Sequence, residues 1–438
     1  MRVGAVYPTA RAVLLMAAGA PVALIVGILW PALWTAAFGW MAFVLLLIAL
    51  DAGFAPAGRG IVARLIVPRS APVGGTVDAM LGVTSPGARR IEATLDADDR
   101  LARLGAPRRT LRLHDGQAEA RLGFEAIRRG TARLPALWLR WSGPLGLVWR
   151  QRREARDDAV LILPDLRPAT EQSQLLLRHA LPGEMARAAS GSGSEFQSLV
   201  AYAEGMDRRA IDWKQSARHA TLLARDMRIE RNNQIVLAID AGRAMAEPVA
   251  GVPRVDRAIS AALLAAYVAL KLDDRVGLYA YAEQPVAASA ITNGIAAFAG
   301  LQRLAAGIDY GTRETNHTLG LTRLAQRLDR RTLIILFTEF TDPTSAELML
   351  RAAGPLLSRH LLLFLIHRDE ELESLAAAAP DTAEDITRAV AAQALLRERA
   401  IVAARLRRMG VHVVEAKHDA AGTALVDAYL ALKRKGLL

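Results

Sequence analysis

The sequence predicts a multidomain membrane protein that joins a two-helix hairpin, a β-sandwich and a doubly wound α/β domain. Three observations support this: two uncharged apolar runs near the N-terminus, a block of short strand-like segments, and a long alternation of strand and helix patterns. A chain of 438 residues also exceeds what one ordinary hydrophobic core holds. The predicted boundaries are 1–58 for the hairpin, 59–165 for the sandwich, 166–232 for a connector and 233–438 for the α/β domain.

The hairpin is predicted from residues 12–29 and 32–50, which carry no charged side chain. Each run is about as long as a helix that crosses a bilayer. Only Trp30 and Pro31 separate them, so the two spans must form a tight pair. Trp30 and Trp34 are expected at one membrane interface, where aromatic side chains concentrate.

Basic residues flank the hairpin on its outer sides. Arg2 and Arg11 precede the first span, and Arg59 and Arg64 follow the second, while the turn between the spans is uncharged. The positive-inside bias therefore predicts that both termini and the soluble domains face the cytoplasm. A cleaved signal peptide is the alternative, but it explains the first run and leaves the second unexplained.

Residues 59–165 contain short segments with partial period-two alternation, as at Leu137, Leu139 and Trp141. Their spacing and the Gly, Pro and Asp punctuation predict a small immunoglobulin-like sandwich. The connector that follows includes a Ser/Gly run at 190–194. No Lys-Ser or Lys-Thr pair follows that run, so it does not predict a phosphate-binding loop.

From residue 233 onward, strand and helix patterns alternate. The run "QIVLAID" reads as a buried parallel strand ending in Asp240. An apolar stripe predicts a helix at 254–272, and further helices are predicted near 288–306, 318–329 and 382–409. Ligands of such sheets bind beyond the carboxyl ends of the strands. That edge is predicted to hold Asp240, Glu339, Asp342 and His367.

Composition limits the chemistry. The chain has no cysteine, which excludes disulfides, thiolate catalysis and Cys-ligated metals. Its net charge of +11 comes mostly from arginine and fits an anionic membrane surface or an Arg-rich soluble chain. No nucleic-acid-binding motif accompanies the charge, so nucleic acid is not predicted as a partner.

The stretch "YAEGMDRRAIDWKQSAR" at 202–218 belongs to a longer pattern that ends at Asp240. The pattern resembles the signature of the domain of unknown function 58 family, over nearly the whole chain. Met206 departs from it, since the family prefers a second acidic residue there. The matching candidate site residues are Glu195, Tyr202, Gly205, Asp207, Arg209, Asp212, Trp213, Ser216, Arg218 and Arg225.

The resemblance implies a two-helix anchor in the bacterial inner membrane, a sandwich insert and a von Willebrand factor type A-like domain. It also implies a MoxR-type AAA+ ATPase as a neighbour of the gene and a candidate partner. Type A domains bind Mg²⁺ through an Asp-x-Ser-x-Ser motif, a Thr and an Asp. Here Asp240 is followed by Gly242 and Ala244, so we expect a degenerate site with Thr315 and Glu339 that binds Mg²⁺ weakly or not at all, and no other cofactor. Thr312 and Thr318 are alternatives to Thr315.

The signature stretch has two interpretations that stay open. Asp207 is a candidate helix N-cap, Arg209 and Trp213 have the spacing to stack, and Asp212 can pair with an arginine. A buried Arg–Asp–Trp network would lock the connector onto the α/β domain. A docking surface would instead expose the Trp and Arg side chains to a partner.

No nucleophile–base pair is evident, so the sequence predicts a non-enzymatic scaffold or adaptor. Its expected partners are the MoxR-type ATPase, other proteins of a membrane complex, and the lipid bilayer; no small-molecule substrate is predicted. A membrane-bound hydrolase that uses the carboxylates of the sheet edge is the alternative. Nucleic-acid binding at the membrane is a third hypothesis.

Overall fold

The computed structural model describes residues 6–29, 35–164, 195–203, 206, 208–228, 232–339, 343–379 and 381–438. The chain divides into two compact units, residues 1–163 and residues 164–438. Trp30, Pro31, Trp34, Gly205, Asp207 and Asp342, on which several predictions rest, lie outside the described residues.

The first unit begins with two long apolar helices. A short strand β1 (Val6–Pro8) precedes α1 (Ala10–Leu29), and α2 covers Ala36–Phe54. Both helices lie in segments that are long and apolar enough to cross a membrane, and most of their side chains are exposed to the surroundings. They meet at Gly19, where an added Cβ would lie 2.1 Å from the Trp40 ring. Compared with the predicted 32–50, the second helix is displaced toward the C-terminus because it continues through Asp51 to Phe54.

Two sheets, antiparallel except for the pairing of β3 with β10, form most of the rest of the first unit. The strands are β2 (Val62–Ile66), β3 (Ser70–Pro72), β4 (Thr76–Thr84), β5 (Arg90–Leu95), β6 (Leu101–Arg103), β7 (Arg109–Arg112), β8 (Gln117–Ala126), β9 (Gly130–Ser142) and β10 (Val148–Leu163). One sheet has the order β1-β10-β9-β5-β7, with β3 beside β10, and the other has β2-β4-β8-β6. Alternating side chains of both sheets, including Phe124, Leu139 and Trp141, share one core.

Asp51 joins α2 to the turn between β9 and β10. Its carboxylate is fully buried and accepts backbone N–H bonds from Leu145 at 2.7 Å, Leu147 at 2.7 Å and Val148 at 2.9 Å. The other end of the hairpin is tied to the same turn, since Thr9 donates its hydroxyl to the carbonyl of Gly146. Three amide donors stabilise a buried carboxylate strongly. Sequence patterns did not predict these contacts of Asp51, because a single Asp after an apolar run indicates only the end of a helix.

The second unit starts with a small motif that carries most of the signature, which we term the signature unit (described residues within 195–228). Strands β11 (Glu195–Ala201) and β12 (Leu223–Arg228) pair antiparallel. Between them lie a 3₁₀ turn at Arg208–Ala210 and the short helix α3 (Trp213–His219).

A six-stranded sheet with helices on both faces makes up the remainder. In chain order the elements are β13 (Gln234–Asp240), α4 (Arg243–Ala246), β14 (Pro248–Val249), β15 (Val252–Pro253), α5 (Arg254–Lys271), β16 (Arg275–Tyr281), β17 (Pro285–Ala288), α6 (Phe298–Ala306), α7 (His317–Arg327), β18 (Leu333–Phe337), α8 (Pro343–Leu357), β19 (Leu361–His367), α9 (Glu370–Ala377), α10 (Ala383–Arg408), β20 (His412–Ala416) and α11 (Ala421–Arg434). The sheet order is β17-β16-β13-β18-β19-β20, parallel except for the edge strand β17. α5, α6 and α11 cover one face, and α7, α8 and α10 cover the other.

The sheet therefore reverses its winding between β13 and β18. Strands added after β13 first extend one edge, and β18 then starts the other. In sheets of this order, ligands bind at that reversal, outside the carboxyl ends of the strands. One predicted element differs in extent: only 298–306 of the helix expected near 288–306 is α-helical, because β17 and a 3₁₀ turn precede it.

Candidate functional site

The carboxyl ends of β13, β18 and β19 form an edge that we call the sheet edge. The parallel register pairs Ile239 with Phe337 and Phe337 with Leu365, so the residues that follow these strands are neighbours. Asp240, Glu339 and His367, which the sequence placed on this edge, are all buried there.

Asp240 is engaged by three donors. Its Oδ1 accepts the Thr315 hydroxyl at 2.6 Å and the Gly242 amide at 2.8 Å. Its Oδ2 accepts the Thr338 hydroxyl at 2.5 Å. The carboxylate is 1% exposed, so these bonds replace hydration that burial removes. Of the three Thr candidates, the structure places Thr315 beside Asp240; Thr338 is an additional partner that sequence reasoning missed.

The arrangement around Asp240 does not fit an octahedral Mg²⁺ site. A Cβ at Gly242 would lie 1.9 Å from the Thr315 hydroxyl oxygen, so the first serine of the metal-binding motif has no room. The guanidinium group of Arg243 forms an ion pair with Glu314 at 2.5 Å. Among the described residues, no group of three or more His, Asp and Glu side chains is placed to hold a metal.

Glu339 takes part in an ionic network with two arginines. Arg399 contacts its Oε1 at 2.6 Å, and the Nε of Arg254 lies 3.7 Å from its Oε2. The same two guanidinium groups contact Asp369 at 3.5 Å and 3.4 Å. The expected grouping of Glu339 with Asp240 and Thr315 around a metal stays a prediction. Such a buried network holds its members in place, because losing one partner leaves an uncompensated charge.

His367 ends β19 among positive charges. Burial, together with the charges of Arg257, Arg254, Arg399 and His418, lowers its pKa to about 4. The imidazole is therefore neutral at pH 7, which is the form that burial favours. The prediction from sequence that His367 closes a strand agrees with its place at the end of β19.

In the signature unit, Asp212 organises helix α3. Its Oδ1 accepts the Gln215 amide at 3.1 Å, which makes Asp212 the N-cap. Its Oδ2 accepts the Nε of Arg225 at 3.0 Å. The Gln215 amide, helped by the Arg225 guanidinium, holds the pKa of Asp212 below its usual value. The pairing with an arginine agrees with the sequence hypothesis, and the partner is Arg225.

Ser216 ties α3 to the adjacent strand. Its hydroxyl accepts the Leu223 amide at 2.9 Å and lies 3.3 Å from the Leu223 carbonyl, to which it donates. Tyr202 closes the other end of the unit, since its hydroxyl donates to the carbonyl of Met206 at 3.1 Å. These side chains, with Asp212, fix the backbone of a motif too small to have a large core.

Trp213 is not part of a buried network. Its side chain is 67% exposed, at the first turn of α3. Met206 and Leu222 in the same unit are also exposed, at 40% and 50%. The hypothesis of a buried Arg–Asp–Trp lock is therefore wrong for the tryptophan. An N-cap places the next side chain at the helix start, where it can point to solvent.

The other signature residues have supporting positions. Glu195 begins β11 opposite Arg228, Arg209 lies in the 3₁₀ turn, and Arg218 lies in the last turn of α3. The residues that sequence reasoning missed are Arg254, Arg399 and Asp369 of the buried network. Their charge was visible, but their meeting at Glu339 depends on three separate elements of the fold.

The chain combines two helices that are long and apolar enough to cross a membrane with a sheet-rich multidomain region, which indicates a membrane protein. The family model described as "Protein of unknown function DUF58" matches residues 199–414. This match confirms the resemblance to the family that the signature predicts.

Comparisons with solved structures give only distant similarities. The conserved hypothetical protein BatB from Bacteroides thetaiotaomicron is 12% identical, with 47% of this chain and 100% of that chain covered and a TM-score of 0.29. An aerotolerance-related membrane protein from Bacteroides fragilis, with multiple mutations to serines, is 15% identical over 47% and 100%, with a TM-score of 0.28. An uncharacterized membrane-spanning protein from Vibrio fischeri is 14% identical over 46% and 98%, with a TM-score of 0.18. No curated protein matches the sequence.

Proposed function

We propose that the protein is a membrane-anchored, non-enzymatic scaffold or adaptor that binds a protein partner through its signature unit. The two apolar helices supply the anchor. The partner we propose is a MoxR-type AAA+ ATPase, as the family resemblance implies, acting in the assembly or maturation of a membrane complex. In this proposal the sandwich is immunoglobulin-like and the α/β domain is von Willebrand factor A-like.

The exposed Trp213 carries the proposal. A tryptophan that is 67% exposed at the start of a fixed helix is an apolar surface prepared for contact. Tryptophan and arginine dominate the binding energy of protein interfaces, and Arg218 and Arg225 lie in the same unit. Asp212 and Ser216 hold α3 in place, so Trp213 loses little conformational freedom on binding.

The sheet edge supports a scaffold better than a hydrolase. Asp240 accepts three hydrogen bonds, and Glu339 and Asp369 share two arginines. A general base or nucleophile has to be available to a substrate, whereas these carboxylates are engaged within the protein. Titration calorimetry of the unmodified chain tests the metal part: we expect no Mg²⁺ binding at micromolar concentrations.

We further propose a two-pass topology in the bacterial inner membrane, with both termini and both soluble regions in the cytoplasm. The basic flanks Arg11, Arg59 and Arg64 support it. Cysteines introduced at Arg59 or Leu438 should resist an impermeant thiol reagent in intact cells, and one at Pro31 should react. Labelling at Leu438 in intact cells would contradict the topology; the native chain has no cysteine to interfere.

Capture of the ATPase tests the partner. The detergent-solubilised full chain is mixed with a MoxR-type ATPase held in its ATP state by a non-hydrolysable nucleotide. Trp213→Ala should lose capture, Trp213→Phe should retain part of it, and Ile295→Ala, which truncates another exposed apolar side chain, should behave as wild type. Equal capture by all three variants would overturn the role of Trp213.

A further inference from the structure

A groove of about 530 Å³ lies among α8, α9 and α10, next to the buried Glu339 network. Its apolar lining is formed by Leu350, Leu372, Leu375, Leu395, Ile401 and Val402. Leu375, Leu395 and Ile401 are 37%, 43% and 55% exposed, although they lie side by side with buried core residues. Several large aliphatic side chains left in contact with water mark a surface that another molecule covers.

The charges of this groove are opposite in sign to those of the whole chain. Six lining side chains are acidic (Glu247, Glu339, Glu347, Asp369, Glu371 and Glu398) and three are basic (Arg254, Arg399 and Arg405). The chain as a whole carries +11. The lining is therefore a local acidic region on a basic protein, and it repels anions such as phosphate or nucleic acid.

Most of these charged groups take part in ion pairs, and two do not. Arg254 and Arg399 pair with Glu339 and Asp369 in the buried network, and Arg254 also contacts Glu247 at 2.9 Å. Arg405 pairs with Glu347 at 2.5 Å. Glu371 and Glu398 are exposed, and neither forms an ion pair with any residue that the structure describes. The groove therefore has two carboxylates outside these ion pairs, one on α9 and one on α10.

The long helix α10 extends the apolar surface beyond the groove. It has 26 residues, of which only Ala392, Ala403 and Leu406 are buried. Ile386, Val390 and Ile401 are 52%, 61% and 55% exposed, at spacings of four and eleven residues. These spacings place the three side chains on one face of a helix. Ile401 belongs to both this face and the groove, so the two surfaces are continuous.

We propose that the groove binds an amphipathic helix of a partner protein that carries Lys or Arg beside its apolar stripe. Apolar side chains of that helix fill the lining, and its basic side chains pair with Glu371 and Glu398. The inference rests on the proposed scaffold function and adds a second contact surface, separate from Trp213. A scaffold with two surfaces can hold one partner at two points or bring two partners together.

The test uses the full chain in nanodiscs of phosphatidylcholine, with empty nanodiscs as the blank. The probe is a fluorescent Leu–Lys amphipathic helical peptide, and a Leu–Glu peptide of the same pattern is its charge control. We expect the Leu–Lys peptide to bind and the Leu–Glu peptide not to bind. Glu371→Gln with Glu398→Gln should weaken the affinity about tenfold, since two exposed ion pairs are removed. Leu395→Ala should weaken it as well.

A matched control changes the same charge elsewhere. Glu119→Gln with Glu125→Gln removes two exposed carboxylates from strand β8 and should leave peptide affinity unchanged. A photoreactive leucine in the peptide should crosslink to α9 and α10. Binding that is equal in the groove variant and in wild type, equal binding of the Leu–Glu peptide, or crosslinks confined to other elements would each overturn the proposal.

The two proposals fail in different ways. Trp213→Ala should bind the Leu–Lys peptide as wild type does, because Trp213 is not part of the groove lining. If ATPase capture is insensitive to Trp213 while the peptide still requires Glu371 and Glu398, the signature proposal is wrong and the groove stands. If capture requires Trp213 and the peptide ignores the two carboxylates, the groove proposal is wrong.

Discussion

The sheet edge and the signature unit are both organised by an aspartate, and the two aspartates have opposite surroundings. Asp240 is buried and accepts bonds from two hydroxyls and one amide. Asp212 caps a short surface helix and holds Trp213 in an exposed position. In sheets of this winding order, the first location is where ligands usually bind. In this protein the polar groups of the sheet edge bond to one another, whereas the signature unit presents accessible side chains such as Trp213.

The largest effect is expected at Asp240. Asp240→Ala would leave one buried hydroxyl, one half-buried hydroxyl and one buried amide without an acceptor, which should lower the free energy of unfolding by about 3–5 kcal/mol. Thermal unfolding of the solubilised chain measures this, with the exposed Asp427→Ala as the control. Unchanged or increased stability of Asp240→Ala would mean that the carboxylate is kept for a ligand, and the contrast between the two regions would fail.

The sheet edge should also lose stability in acid through His367. Its folded pKa of about 4 lies below the usual histidine value, so the unfolded chain takes up this proton first as pH falls. The neutral imidazole of His367 makes its full contribution to the free energy of unfolding above about pH 6.5. This contribution decreases as pH falls toward 4, by about 3 kcal/mol in total. The groups that face it are Arg254, Arg257, Arg399 and His418.

Comparison with a His367→Leu variant isolates that contribution. Burial also lowers the pKa of His360 and His412, so some acid sensitivity remains in both proteins. Denaturant unfolding at several pH values between 4 and 7 should give a smaller pH dependence for the variant. Identical slopes for wild type and His367→Leu would contradict a neutral buried imidazole.

A smaller effect is expected when the missing motif serine is restored. Gly242→Ser places a Cβ within 1.9 Å of the Thr315 hydroxyl, so it should destabilise the chain by about 2 kcal/mol. In a Thr315→Ala background the same serine should cost less, because the clashing hydroxyl is gone. A double-mutant cycle by thermal unfolding measures the coupling. Additive effects would show that the two positions do not compete for space.

The smallest stability change is expected at the exposed tryptophan. Trp213→Ala should alter the free energy of unfolding by no more than about 0.5 kcal/mol, whereas Asp212→Ala should lower it by more, through loss of the cap. Thermal unfolding of the full chain measures the stability change of both variants. A loss of several kcal/mol for Trp213→Ala would restore the buried-lock interpretation and remove the difference between the regions.

Periodic patterns predicted the larger elements well. The stripe that begins at Val255 gave α5, the run ending in Asp240 gave the central strand, and the uncharged N-terminal runs gave two apolar helices. These features are local, since each depends on side chains a few positions apart. The candidate site is not local in this sense: Arg254 and Arg399 reach Glu339 from α5 and α10, far apart in sequence.

The sequence also did not predict that the Trp213 side chain is exposed. A tryptophan four residues after an arginine suggests stacking, and large aromatic side chains are usually buried to a high degree. Which aspartate caps the helix decides the direction of this side chain. With Asp212 as the N-cap, Trp213 becomes the first helical residue, and its side chain is 67% exposed.

The bonds of Asp51 have a mechanical consequence. A domain that hangs from one flexible residue can swivel, so a pull on it is absorbed by the linker. Here the N-terminal segment contacts the sandwich at two places. Strand β1 pairs with β10, and Asp51 accepts hydrogen bonds from the β9–β10 turn. Two attachment points on one strand remove the swivel. Torque applied to the sandwich is therefore transmitted to the pair of apolar helices.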